Sequence, residues 1–153
     1  MRAVRVLGVV VVAVQLASMI AFGASMYTIL LAASSMASGD SMAMVLTLDE
    51  AVGVGVLRLD AVARNGGLLG VNLDLGVSAL DEAGEPLARN STSVHLGAGE
   101  GRAVSLSLSL PFGVMRRITV ERRGRLEVTM DLRTLNDLVG VSNTMTVREG
   151  GSR

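Results

Sequence analysis

The chain has no cysteine, which removes disulfides, thiolate metal sites and thiol nucleophiles together. A domain built from it must stand on its apolar core alone. Aromatic residues make up 2% of the sequence, with no tryptophan, so the stacking platforms that hold single-stranded nucleic acid are missing. A surplus of one charge is missing too. The 14 basic residues are matched by 14 acidic ones, and no net field gathers nucleic acid or acidic substrates. Nucleic acid is therefore not an expected partner, and no small-molecule ligand or cofactor is indicated. Lysine is absent, every basic residue being arginine; a heat-adapted source is compatible with this, but arginine usage alone is an unreliable thermal marker. Histidine occurs once, at His95, so a triad or metal site built on it has no second imidazole to draw on.

What the chain does have is Val6 to Ala33, 28 residues without a formal charge. As a helix rising about 1.5 Å per residue this run is roughly 42 Å long, against a hydrocarbon core of about 30 Å. It predicts a transmembrane helix. Arg2 and Arg5 make a basic start, and Ala21-Phe22-Gly23 or Ser35-Met36-Ala37 have the small residues of a signal cleavage site, but a signal core is only about 7–15 residues long. A retained anchor fits the length better. Arginines precede the span and acidic residues (Asp40, Asp49, Glu50) follow it. The positive-inside bias then keeps residues 1–5 in the cytoplasm and sends the carboxyl-terminal domain outside.

Within the span Ala17, Ala21, Ala24 and Thr28 recur at helical spacing beside Ser18 and Ser25, with Gln15 one turn earlier. Small residues let a second helix approach closely, and a glutamine in hydrocarbon gains from a partner. These seven positions are the candidate helix-packing face, toward another helix or a second copy of the chain. Alanine and serine are also simply common in spanning helices.

After the span, residues 34–41 (SSMASGDS) read as a linker, and from Met42 the period changes to two, the mark of strands with one buried face. Val52, Val54 and Val56 alternate up to a turn at Arg64-Asn65-Gly66-Gly67. Val71, Leu73, Leu75 and Val77 alternate with polar residues as a half-buried strand, closed by the Asp81–Pro86 loop, where Pro86 cannot donate to a central ladder. The clearest strand is Ala103–Leu110, with Val104, Leu106, Leu108 and Leu110 on one side and serines on the other. Pro111 stops it. Gly97, Gly99 and Gly101 lack the spacing of a dinucleotide loop and read as the turn before it. Next, Arg122-Arg123-Gly124 as a three-residue loop would set Val120 against Leu126, Ile118 against Val128 and Glu121 against Arg125. The arginines there interleave with Glu121, Glu127 and Asp131 and predict a solvated, salt-paired face worth no more than about 1 kcal/mol per pair. Thr134–Asp137 reads as a helical turn capped by threonine, and Ser142–Val147 as a last strand before a tail at 149–153.

Some seven or eight short strands with regular turns predict an antiparallel β-sandwich over residues 42–148. The fold class is thus all-β, a transmembrane helix at 6–33 followed by an immunoglobulin-like sandwich.

Candidate chemistry is sparse. Asp81, Glu82, Glu85 and Asn90 could lend oxygens to calcium, but the ion wants six to eight ligands and the spacing matches no loop motif. Met36, Met42 and Met44 have the thioethers of a cuprous site, but methionines at a membrane boundary are far more often packing residues. Asn90-Ser91-Thr92 is an N-glycosylation acceptor, placed in an outside loop. No catalytic residue, metal ligand or cofactor site is assigned.

The segments Leu57–Asn65, Gly70–Ala88 and Ala98–Pro111 resemble the immunoglobulin-like domain of late embryogenesis abundant type-two proteins and their archaeal and bacterial relatives. The shared features are a strand ending in Asn before a turn, an Asp…Gly hairpin and a Gly-Glu turn before an alternating strand, although the family's Asn-Pro is Asn65-Gly66 here. The resemblance implies a sandwich following a single spanning helix, with no known active site and so no catalytic residues to transfer. Archaeal pilins and archaellum accessory proteins also join an apolar helix to a sandwich. Processing after Ala3 would leave Arg5 near the start of the mature helix, where that family is apolar. The sequence therefore predicts a membrane-anchored, outward-facing, non-enzymatic module of the cell envelope; a filament subunit or a small subunit of a membrane complex are the alternatives.

Overall fold

A computed structural model describes residues 2–37 and 42–147. One long helix, α1 (Arg2–Ala37), precedes seven strands: β1 (Met42–Asp49), β2 (Val54–Arg64), β3 (Val71–Leu80), β4 (Pro86–Leu96), β5 (Gly101–Pro111), β6 (Arg125–Thr134) and β7 (Val139–Val147), with a short helix α2 (Phe112–Thr119) between β5 and β6. The strands form two antiparallel sheets, β1-β2-β5 and β4-β3-β6-β7. The fold is the expected β-sandwich behind an apolar helix.

The alternation read from sequence places the core. Val71, Leu73, Leu75 and Val77 of β3 are buried, as are Val104, Leu106, Leu108 and Leu110 of β5. Leu57 pairs with Leu108 and Leu59 with Leu106 in one sheet, while Leu73 pairs with Leu132 and Val77 with Val128 in the other. Facing side chains of one kind at paired positions are the unit of sheet stabilisation. In β2 the inward register is Leu57, Leu59, Ala61 and Ala63, opposite to the valine phase expected from Val52, Val54 and Val56. The larger leucines two residues on decide which face goes in.

Three further expectations are corrected. Ile118 and Val120 do not belong to a strand: Phe112–Thr119 is helical, because Met115 and Ile118, three apart, make one apolar helix face that covers the open end of the core. Met115 sits against Gly55, where a β-carbon would lie 2.6 Å from the methionine Cβ. The expected pairing of Glu121 with Arg125 goes with that hairpin, although Gly124 does take a positive φ. Thr134–Asp137 is not a right-handed turn, since Leu135, Asn136 and Asp137 all have φ between 52° and 67°. Thr134 Oγ1 donates to the Gly70 carbonyl at 2.8 Å instead of capping. Finally, Ser34–Ala37 continues α1 where a linker was expected; residues 38–41, residue 1 and the tail at 149–153 lie outside the described residues.

The sandwich has two unlike ends. At one, the loops 65–70, 97–100 and 135–138 come together, because Arg64 pairs with Gly101 and Val71 with both Leu96 and Thr134. At the other lie the turns 50–53 and 81–85 and the α2 segment. α1 meets the sandwich at the first end and packs against β2 of one sheet and β6 and β7 of the other.

Candidate functional site: the helix and the end of the sandwich it joins

Two parts of α1 meet different surroundings. From Val9 to Ile20 every residue is exposed, Met19 and Ile20 at 72% each. From Ser25 on, a stripe of Ser25, Thr28, Ile29, Ala32 and Met36 is buried, at the 3-4 spacing that keeps one helix face toward its support. Of the seven candidate packing residues, then, Gln15, Ala17 and Ser18 are open, Ala21 and Ala24 are half-buried, and Ser25 and Thr28 are covered by the chain's own domain. The stripe was expected to let another helix approach closely; at Thr28 the body that approaches is a loop of this chain.

That loop explains the fit. Thr28 Oγ1 accepts from the backbone N–H groups of Leu68 (3.2 Å) and Leu69 (3.4 Å), and Ser35 Oγ donates to the Arg64 carbonyl at 2.9 Å. Gly67 is pressed against the helix so closely that a β-carbon would stand 2.6 Å from Thr28 Cα. Backbone contact of this kind is available only to glycine. Ser18 and Ser25 turn their hydroxyls back onto the carbonyls of Val14 (2.9 Å) and Ala21 (2.7 Å), which satisfies them in an apolar setting.

Behind the loop stands Asn65, read from sequence only as part of a turn. It is 1% exposed. Its Nδ2 donates to the carbonyls of Leu69 (2.7 Å), Leu96 (3.1 Å) and Gly97 (3.0 Å), and its Oδ1 accepts from the Gly67 N–H at 3.0 Å. Its backbone bonds to Glu100 and Gly99, both at 2.8 Å. One side chain thus ties the helix-bearing loop to the β4–β5 loop. The signal available in the sequence was an asparagine closing a strand before two glycines. Beside it, Glu100 Oε2 accepts from the Gly97 N–H at 2.8 Å. That bond, with the neighbouring Arg102 and His95 charges, holds the carboxyl below the ordinary glutamate range. An open depression of about 490 Å³ lies here, lined by Arg64, Asn65, Glu100 and Arg102 among others.

The outer face of the four-stranded sheet gathers the titratable residues. His95 is exposed near the end of β4, its Nδ1 2.7 Å from Asn72 Oδ1, and Asn72 Nδ2 donates to Asp137 Oδ1 at 3.1 Å. Ser93 Oγ donates to Asp74 Oδ1, and Arg133 lies 4.0 Å from Asp74 and 3.9 Å from Asp131. The serine hydroxyl is held by a carboxylate and the imidazole by an amide, so the two are not paired as nucleophile and base.

The remaining candidates are scattered. Asp81 Oδ1 accepts from the Glu85 N–H (2.8 Å) to shape its own turn, and Glu82 lies 3.7 Å from Arg123. Asn90 is on edge strand β4, not in a loop, and its Nδ2 donates to the Ser107 carbonyl of the other sheet at 2.7 Å. The serine- and threonine-rich run around it hides a strand that alternation does not mark. Among the described residues no three histidine or acidic side chains are grouped as a metal would need. Met36 is buried, and Met42 and Met44 pack against the same core. The arginine face is salt-paired in part, with Arg125 2.6 Å from Glu127.

No protein-family model matches the chain, and no curated protein does. Among solved structures, two of Bacteroides uniformis beta-glucuronidase, one covalently bound to cyclophellitol-6-carboxylate aziridine, are similar at 17% identity with a TM-score of 0.52. The match covers 71% of this chain and 13% of theirs. At that identity the likeness concerns the fold, a β-sandwich, and this chain spans a small part of those proteins' length.

Proposed function

We propose that this chain is a single-pass membrane protein whose sandwich stands outside the bilayer as a non-catalytic structural or binding module of the cell envelope. The observation that carries the reading is the unlike surroundings of the two parts of α1. A run of exposed, mostly apolar residues from Val9 to Ile20 leaves the domain, and large apolar surface belongs in lipid or against a partner. The buried stripe beyond it makes the anchor and the domain one body, with Ile29 and Met36 each contributing about 2 kcal/mol by burial. Arg2 and Arg5 at the start of the chain support an amino terminus in the cytoplasm. The resemblance to the late embryogenesis abundant type-two domain supports a module that works by contact.

Alkaline carbonate extraction of native membranes, intact mass and proteolysis from outside test this together. The expected result is a chain of uncleaved mass that stays with the membrane and loses its sandwich to external protease. Release as a shortened soluble chain would leave a secreted sandwich. Recovery in polymers sheared from cells would leave a filament subunit, for which the exposed Gln15, Ala17 and Ser18 face would serve as the packing surface.

A further inference from the structure

We propose that the end of the sandwich at which α1 leaves is itself a lipid-contacting surface, in which Leu68 and Leu138 dip into the interfacial layer of the same bilayer that α1 crosses. The inference rests on the anchored reading and adds to it a second, loop-borne contact.

The position follows from the helix. Thr28 is bonded to the 68–69 backbone, Ser35 to Arg64, and Met42 pairs with Ala61. Thr28 to Met36 therefore climb from the loop end toward the middle of the sandwich, and the exposed residues up to Ile20 run away from it. From Val6 to Ser25 is about 20 residues, or roughly 30 Å of helix, the thickness of the hydrocarbon core. If that stretch spans the core, the loop bonded to Thr28, one turn beyond Ser25, lies at its boundary.

The chemistry of those loops suits the place. Leu68 is 70% exposed and Leu138 84% exposed, and both are at the end from which α1 emerges. Two large aliphatic side chains at loop tips gain nothing from water there. The charges of the same end are drawn aside: Asp137 is held by Asn72, and Glu100 by the Gly97 N–H and by Arg102 at 3.1 Å. The 65–70 loop carries no charge at all. The opposite end is unlike it, with Asp81, Glu82 and Glu85 in one turn and Arg116, Arg117, Arg122 and Arg123 in and after α2. An amphipathic body with one apolar end beside a membrane helix settles apolar end down. Arg64 and Arg102, at the rim of the open depression, have side chains long enough to keep their charge at headgroup level.

Because the chain has no cysteine, single probes can be placed without background. The full-length variants Leu68→Cys, Leu138→Cys, Leu16→Cys and Glu85→Cys would each be labelled with an environment-sensitive fluorophore. After reconstitution into phosphatidylcholine–phosphatidylglycerol vesicles, quenching by nitroxide-bearing lipid is read. Residues 68 and 138 are exposed tips, so the substitutions leave the fold intact. The expected result is strong quenching at positions 16, 68 and 138, with blue-shifted emission and a several-fold smaller loss at position 85. Quenching at 16 without quenching at 68 and 138 overturns the loop contact and leaves the anchor standing. No quenching at 16 overturns the anchor, and the loop contact with it.

Discussion

The two parts of α1 are made of the same residue types and meet opposite surroundings. Val9 to Ile20 is exposed throughout, whereas Ser25 to Met36 buries one face against three strands of its own domain. Hydropathy scores the whole of Val9–Met36 as one candidate span. The difference is made outside the helix, by a glycine-rich loop that comes within backbone contact of Thr28 and by hydrogen bonds from Leu68 and Leu69. One apolar helix is thus open along one part, which we propose to be the membrane anchor, and a core element of the domain along the other.

The sharpest way to break this comparison is to put the same charge into each part. Ile29→Asp places a carboxylate in the core and should destabilise the sandwich by about 4 kcal/mol, since an unpaired buried charge is among the costliest changes available. Ile20→Asp should leave the unfolding of the domain within about 0.5 kcal/mol of the parent, because it touches none of it. Urea unfolding in mild detergent, followed by far-ultraviolet circular dichroism of the strands, measures both; equal effects would erase the distinction between the two parts.

A smaller effect is expected one step behind the join. Asn65→Ala removes the donor shared by three loop carbonyls and the acceptor of the Gly67 N–H, and should cost about 2–3 kcal/mol in the same titration. It should also raise amide exchange at Gly67, Leu68 and Leu69 more than in β3. Unchanged exchange in that loop would mean Asn65 does not organise it.

The smallest effect is a pH dependence at the same end. Glu100 is held below its ordinary range by the Gly97 N–H, so it binds a proton more readily unfolded than folded. Its contribution is fully present above the unfolded value, roughly 4.3, and is lost as pH falls through the lower folded value. Comparing thermal midpoints of the parent and Glu100→Gln, the gap seen at pH 7 should close as pH falls below about 4. A gap that stays constant to pH 3 would assign the difference to shape and not to charge.

Much of this architecture can be read along the chain. The two strands with strict alternation, β3 and β5, face as their residues dictate, and the apolar run is a helix. What could not be read depends on partners distant in sequence. The α2 segment scores as a strand beside Leu126 and Val128 until the open end of the core, which needs Met115 and Ile118 as a lid, is known. β4 is a strand because β3 offers it a ladder, not because Asn90-Ser91-Thr92 alternates. The left-handed path of Leu135–Asp137 is imposed by closing the β6–β7 hairpin over Thr134, whose hydroxyl is already committed to Gly70. In the candidate site, the helix stripe was visible as a row of small residues. Its division between an open part and a docked part was not, because Gly67 lies some forty residues away.

The most direct test of the account is the reach of a membrane-impermeant maleimide along α1 in intact cells. Single cysteines at Val12, Leu16 and Ile20 should resist labelling from outside, while those at Leu30 and Ser34, on the open side of the docked part, should react. If Leu16→Cys labels as readily as Ser34→Cys, or Leu30→Cys is as protected as Leu16→Cys, the division of α1 into a membrane part and an outside, domain-bound part is wrong.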